Sequence, residues 1–383
     1  MLNSTIFAER RQRVRNAVAD DIGEGIPFIV ADSPNVAYLT GLSASNAAIL
    51  IAPDGADQLC TDGRYLQMAH AVAPDLDVVV ARASAHQLVH EAVGQGYQRL
   101  MIEGSLPAML VEECGSSATL IIGNGIVEQL RRIKDQQETA LLAMACRITA
   151  EAFQILAEEI RVGQTEALIA RRLELLFAEL GAEDRAFASI VATGPNAAIP
   201  HHSPGSQEIR VGDLLVIDAG ARVGGYHADM TRTFMVGTEA SAEFIEWHDA
   251  VIEARTAALQ RCTSGAPATD MDTAARAVLT ARGYGELMPH GLGHGIGLQI
   301  HEAPMLTVTQ RQGAAHQPTG AATGGQHRLE SDMVIAVEPG VYKSGVGGIR
   351  IEDSFQVTAG EPLTLTRTAD GTVPTGLQIV GEA

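Results

Sequence analysis

DLLVIDAGARVGGYHADMTRTFMV (213–236) reads as a strand, a glycine turn and a return strand, with Asp218 going out and Asp229 coming back. The same plan is met in DMVIAVEPGVYKSGVGGIRIEDSFQV (332–357), where Glu338 goes out and Glu352 comes back. In each stretch an acid closes an apolar strand, and Gly224-Gly225 or Gly347-Gly348 permits the reversal. One aspartate at a strand end is ordinarily solvated or caps a turn. Four carboxylates at matching places in two hairpins, brought together inside a sheet, would repel one another and shift one another's pKa values. A fold tolerates such a cluster when cations neutralise it. Two divalent metals carry four positive charges, which match four carboxylates and argue for a dinuclear site.

A fifth ligand is offered by HGLGHGIGLQIHEAP (290–304), where His290, His294 and His301 stand among glycines. Small neighbours let the backbone approach closely and leave the His294 imidazole with little steric cover. Oxygen-rich ligands with one imidazole suit Mn²⁺, Co²⁺, Fe²⁺ or Zn²⁺ better than copper or an iron–sulfur cluster. No H-E-x-x-H pattern occurs, which disfavours the usual mononuclear zinc peptidase.

Outside these segments, a chain of 383 residues suggests two domains. Hydrophobic residues make up 46% and charged residues 19%, enough apolar material for packed cores. The net charge of −19 argues against a nucleic-acid or anionic-membrane partner. Cys60, Cys114, Cys146 and Cys262 form no C-x-x-C pair, so a reducing compartment is the economical reading. With no apolar stretch before the first basic cluster and no run of 18 or more apolar residues, neither a secretory signal nor a bilayer span is expected. The expected location is cytoplasmic.

The first part alternates helix and strand: a charged helix over 8–20, then strands at 27–34, 47–53, 76–81, 99–104 and 119–124. This predicts an α/β amino-terminal domain, ending near Gly125 and assigned to 1–127. Residues 128–383 form the second domain, an α+β arrangement of helices and strand-rich segments at 209–236 and 332–358. Its first helix is predicted to turn Leu141, Ala145, Ile148, Ala152 and Ile155 inward. The next runs from an N-cap at Thr165 to Gly181 with Leu168, Leu173, Leu176 and Leu180 inward. A third covers about 270–282. The stretch 307–330 is a long loop, read as a surface insertion or as a lid.

The order Asp218, Asp229, His294, Glu338, Glu352, in the contexts VIDAGA, HADMTRTF, GLGHGIGLQIHE, AVEPGVY and GIRIEDSFQV, resembles the five-ligand signature of the pita-bread metallopeptidases. RRIKDQQETALLAMACRITAEAF (131–153) is similar to the helix that opens the catalytic domain of that family. SPNVAYLTGL (33–42) resembles a phrase of the amino-terminal domain of prolidases, aminopeptidase P and creatinases, which points to the proline-directed branch. The resemblance implies a pita-bread catalytic domain holding two divalent ions, with Mn²⁺ the first choice. It implies hydrolysis of the bond between an amino-terminal residue and proline by a hydroxide held between the metals. It makes Glu338 the proton shuttle and His201, in AAIPHHSP (197–204), and His301 the groups that hold substrate and stabilise the tetrahedral intermediate. His290 is a further pocket candidate. Arg350, two residues before Glu352, is a candidate for holding substrate or the carboxylates. A homodimer acting on short peptides with proline second is implied as well. Ala228 departs from the serine common in the family. The alternatives are a non-peptide substrate on the same metals, or a peptide-binding module without catalysis; an intact ligand set speaks against the latter.

Overall fold

The computed structural model describes residues 4–104, 106, 117–123, 125–308, 327–373 and 375–381. The chain divides into two compact units, with the division falling between Arg131 and Arg132.

The first unit is built on a six-stranded mixed sheet. Its spatial order is 77–80, 58–61, 47–51, 28–30, 99–103, 119–123. The strand at Gln58–Thr61 was not anticipated, because QLCT is short and has no clear alternation. Its neighbour Ala47–Ile51 runs antiparallel to it and to Phe28–Val30, and the remaining pairings are parallel. Ile29, Leu50, Leu88, Leu100 and Ile102 share one apolar core in this unit. Glu103 ends a central strand and is buried. Its Oε2 accepts from the Ala31 and Asp32 backbone N–H groups at 2.7 and 2.6 Å, and Oε1 from Asn35 Nδ2 at 2.7 Å.

The second unit opens with the helix Gln136–Glu159. Asp135 caps it by accepting from the Gln137 and Glu138 N–H groups while Glu138 reaches back, a capping box. This helix is long and apolar enough to cross a bilayer by composition, yet one face is packed into its own unit. The buried stripe runs through Leu142, Ala145, Cys146, Ile148, Thr149, Ala152, Phe153 and Leu156. Leu141 and Ile155, expected inside, are only partly covered. The next helix, Glu166–Glu179, is capped by Thr165 and followed by Gly181 at φ +97°. Leu173 and Leu176 are buried there, whereas Leu168, also expected inside, is 50% exposed. Phe177 and Ile169 take the inward places instead. The helix Thr269–Ala281 packs against Ala242–Leu259, a helix the sequence reading passed over.

Two larger sheets form the heart of the unit, beside a three-stranded sheet (226–227, 221–223, 184–185) and a two-stranded ribbon (340–343, 347–350). One has the order 378–380, 230–236, 214–219, 190–193; the other has 302–306, 293–295, 334–337, 353–356, 363–364. Each covers its own apolar core. They are stitched together at a bridge between Thr231 and Glu352. Arg232 strengthens that seam by donating to the carbonyls of Thr231 and Glu352 and to Asp353.

The two hairpins reverse differently. Val223 pairs with Tyr226 around Gly224 and Gly225, whose φ of +56° and +82° suits a tight turn. In the other hairpin Lys343 pairs with Gly347 and Tyr342 with Gly348, so the turn lies at 344–346, with Gly345 at φ +76°. Gly348 is needed for another reason: a Cβ there would stand 2.3 Å from the Ala197 carbonyl oxygen.

Cys60, Cys146 and Cys262 are buried free thiols. Cys114, and positions 309–326 of the expected insertion or lid, lie outside the described residues.

Candidate metal centre

The seam between the two sheets gathers the acids. Asp218 sits in the strand Leu214–Ala219 opposite Thr231, and Asp229 immediately precedes the return strand Met230–Val236. Glu338 follows Val334–Val337, and Glu352 precedes Asp353–Gln356. Strand ends are where alternation can be broken, so a polar group can point inward without displacing a core residue. His294 lies in the short strand Gly293–Gly295, between 302–306 and 334–337. Both flanking glycines are obligatory there: a Cβ on Gly293 would stand 2.0 Å from the Ala336 oxygen, and one on Gly295 2.3 Å from the Ala303 oxygen.

Ligand-type atoms of Asp229, His294 and Glu352 all lie within 4.8 Å of one another. His294 Nε2 is 3.7 Å from Asp229 Oδ2 and 4.0 Å from Glu338 Oε1. Asp218 is tied in by electrostatics, since its charge raises the pKa of Asp229, Glu338 and Glu352. Burial is the larger cause at all three. It drives Asp229 and Glu352 well above the carboxylate range and Glu338 up to about 7. Burial also depresses His294 to about 3, with His301 adding to the effect.

Whether these residues suit a cation is a question of unmet bonding capacity. Asp218 Oδ1 and Asp229 Oδ1 are buried and have no hydrogen-bond donor. Unpartnered carboxylate oxygens in a dry site are expensive, and a cation satisfies them. His294 Nδ1 lies 2.9 Å from the Gly295 carbonyl oxygen. With the proton held there, Nε2 faces the acids with its lone pair free. Carboxylate oxygens and one imidazole form a donor set for divalent metals.

Around this cluster the candidate substrate groups are arranged as follows. The His301 ring stands edge-on to His294 with centroids 4.4 Å apart. His201 is exposed on its loop; burial lowers the pKa of His290 and His301, with electrostatic coupling to His201 a lesser cause at both. His202, next to it, is bound instead to Glu166, its Nε2 lying 2.9 Å from Oε2. His290 Nε2 is 3.0 Å from the Tyr342 hydroxyl, and burial holds this histidine at about 4. Arg350 is buried and donates to Asp218 Oδ2 at 2.7 Å, to Thr231 Oγ1 at 3.0 Å and to Tyr342 Oη at 2.8 Å. Of the two roles weighed for it, its contacts are those of holding the carboxylates.

Sequence reasoning passed over Thr231, Tyr342 and His227. Thr231 donates to Glu352 Oε2 at 2.7 Å. His227 binds the Gly297 carbonyl through both its ring Nδ1 and its backbone N–H, joining the HADM segment to the glycine-rich one. All three stand inside quoted motifs, two residues or fewer from an acid or in the same short ribbon. Proximity to the acids was the available signal.

Residues 140–359 match the family model described as metallopeptidase family M24, and residues 10–133 match the creatinase/prolidase N-terminal domain. The curated Xaa-Pro dipeptidase of Pyrococcus horikoshii is 33% identical over 344 residues, 89% of this chain and 92% of that protein. Among solved structures, the Xaa-Pro dipeptidase from Bacillus anthracis aligns with a TM-score of 0.86 and 30% identity, covering 99% of this chain and 100% of the other. The X-Pro aminopeptidase from Thermotoga maritima gives a TM-score of 0.84 and 30% identity, covering 97% and 99%. Ordered acids, a glycine-flanked imidazole and an alignment that spans the site therefore agree, and this chain belongs to metallopeptidase family M24.

Proposed function

We propose that this protein hydrolyses the peptide bond between an amino-terminal residue and proline, in dipeptides or in longer Xaa-Pro peptides. The carrying observation is the convergence of buried acids on an imidazole whose lone pair faces them, in a chain similar to Xaa-Pro dipeptidases along most of its length. Asp218, Asp229, His294, Glu338 and Glu352 would hold two divalent ions, with Mn²⁺ preferred over Co²⁺, Zn²⁺ or Fe²⁺. When bound, such a pair supplies Lewis-acid charge and makes water a nucleophile at neutral pH.

The chain's own groups do the rest. Arg350 fixes Asp218 and, through Thr231, steadies Glu352, so the ligand oxygens keep their places while substrate enters. Glu338, its side chain 23% exposed at the open side of the cluster, is placed to carry a proton to the leaving proline nitrogen. His201 and His301 would donate to the carbonyl oxygen as charge grows on it. His290, held by Tyr342 and by an Arg276 bond to its carbonyl, shapes the pocket wall. An Xaa-Pro bond lacks the amide N–H that extended-strand peptidases grip, so a site that acts on the carbonyl loses nothing by its absence. The same proposal assigns residues 1–127 to an amino-terminal domain and 128–383 to catalysis, and carries a homodimer in the cytoplasm.

A substrate panel tests it. Purified protein given Mn²⁺, Co²⁺ or Zn²⁺ is offered Gly-Pro-type dipeptides, longer Xaa-Pro peptides and matched peptides without proline. We expect turnover confined to the Xaa-Pro set and lost on chelation. Equal turnover of the proline-free peptides would remove the substrate assignment.

A further inference from the structure

We infer that Glu166 is a positioning residue for this reaction, clamping both arms of the 193–205 loop so that His201 is presented to the metal centre. Glu166 begins the helix Glu166–Glu179, and its side chain is fully buried. A charge with no water around it needs several donors, and here both oxygens are saturated from one loop. Oε1 accepts from the Thr193 backbone N–H at 3.0 Å and from Asn196 Nδ2 at 2.9 Å. Oε2 takes His202 Nε2 at 2.9 Å and the Gly205 backbone N–H at 3.1 Å.

These partners bracket the segment. Thr193 is the last residue of the strand Ile190–Thr193, Asn196 lies in the 3₁₀ turn that follows, and Gly205 begins the return. The backbone locks the anchor itself, because Glu166 donates to the Gln207 carbonyl and Ala167 to that of Gly205. The turn is seated on the ribbon that leads to Arg350 and Glu352, where Gly348 lets the Ala197 carbonyl in. With His202 committed to Glu166, His201 is the histidine of the pair left to serve the site, and it is electrostatically coupled to His290 and His301 across the loop. Glu166 reaches no solvent and so acts only through this loop.

The inference rests on the proposed role of His201, and its test separates the two. Glu166→Gln keeps shape but not bonding. Whichever way the amide faces, its NH₂ opposes a backbone N–H: that of Thr193 on one side, that of Gly205 on the other. Wild type, Glu166→Gln, His201→Ala and the double variant are assayed on an Xaa-Pro dipeptide with Mn²⁺, and bound metal is counted in each. We expect Glu166→Gln to lower kcat by about 10- to 100-fold with little change in KM and an unchanged metal count. In the His201→Ala background the same change should lower kcat by no more than about 2-fold. Equal fold-losses in both backgrounds, or wild-type kcat in Glu166→Gln, overturn the inference.

Side-chain resonances of ¹⁵N-histidine-labelled protein supply a readout independent of substrate. Glu166→Gln should displace the signals of His201 as well as His202; movement of His202 alone overturns the inference. Should the wild type cleave no Xaa-Pro peptide, the functional assignment fails and these resonances still decide the positioning role. If Glu166→Gln does not fold, Asn196→Ala removes one of the bonds and should show the same non-additivity with His201→Ala, with additive losses overturning the inference.

Discussion

His294 and Asp229 carry opposite consequences of the same burial. Desolvation keeps the imidazole neutral, which is the state that binds a cation, and opposes the ionisation of carboxylates that must be ionised to do so. Asp229→Asn removes, together with one ligand oxygen, an acid whose ionisation is opposed by burial and by the charges of Glu352, Asp218 and Glu338. We expect it to abolish turnover and to lower bound metal by about one equivalent. At pH 8 in chelator, however, its thermal midpoint should rise by a few degrees, roughly 1 kcal/mol of relieved repulsion. A fall in the chelated midpoint would show that Asp229 is not strained by its neighbours.

Glu103 makes a comparable point away from the site. Burial raises it from 4.5 to about 7 against the pull of its hydrogen-bond donors. A group that binds its proton more tightly in the folded chain than in the unfolded one adds stability while the proton is on. That contribution is complete below about pH 4.5 and is lost as pH rises through about 7. Urea midpoints of the wild type should therefore drop between pH 5 and 8, by up to about 3 kcal/mol of stability. Glu103→Gln, which mimics the protonated acid, should flatten that profile. An identical slope in the variant would assign the pH dependence to other groups.

At the scale of elements, the hairpins and helices differ in how openly the sequence displays them. Thr165 and Gly181 stand at helix ends, where a single side chain or a missing Cβ satisfies the exposed backbone groups; such signals are local and could be read directly, whereas the capping box of Asp135 and Glu138, equally local, was passed over. Which face of the helix is buried was read less well. Leu168 follows the apolar period yet faces solvent, because the sheet below is met by Ile169, Leu173, Leu176 and Phe177. Periodicity specifies an apolar stripe, and the neighbour decides where that stripe ends. The glycines show the same division. Gly224 and Gly225 serve the turn the spacing suggested, whereas Gly348 serves a contact with Ala197, distant in sequence. Gly293→Ala tests the second kind: its Cβ would meet a backbone oxygen that cannot step aside without unpairing 293–295 from 334–337. We expect loss of metal binding and a destabilisation of at least about 3 kcal/mol, read from denaturant midpoints and metal content.

Taken as a molecule, the chain shows how far a sequence can specify a site before it folds. The identity and order of Asp218, Asp229, His294, Glu338 and Glu352 were legible, because carboxylates at the ends of apolar strands and an imidazole among glycines are unfavourable unless something binds them. An α/β domain followed by an α+β domain was legible for a similar reason: apolar periodicity is written along the chain. The tertiary structure alone decided which groups meet. It set Arg350 on Asp218, Thr231 on Glu352 and Tyr342 on His290, and it tied His202 to a buried acid 36 residues upstream. Those pairings depend on directions and distances between segments far apart in sequence. A chain records what each residue can bond to, and only packing determines what stands within reach.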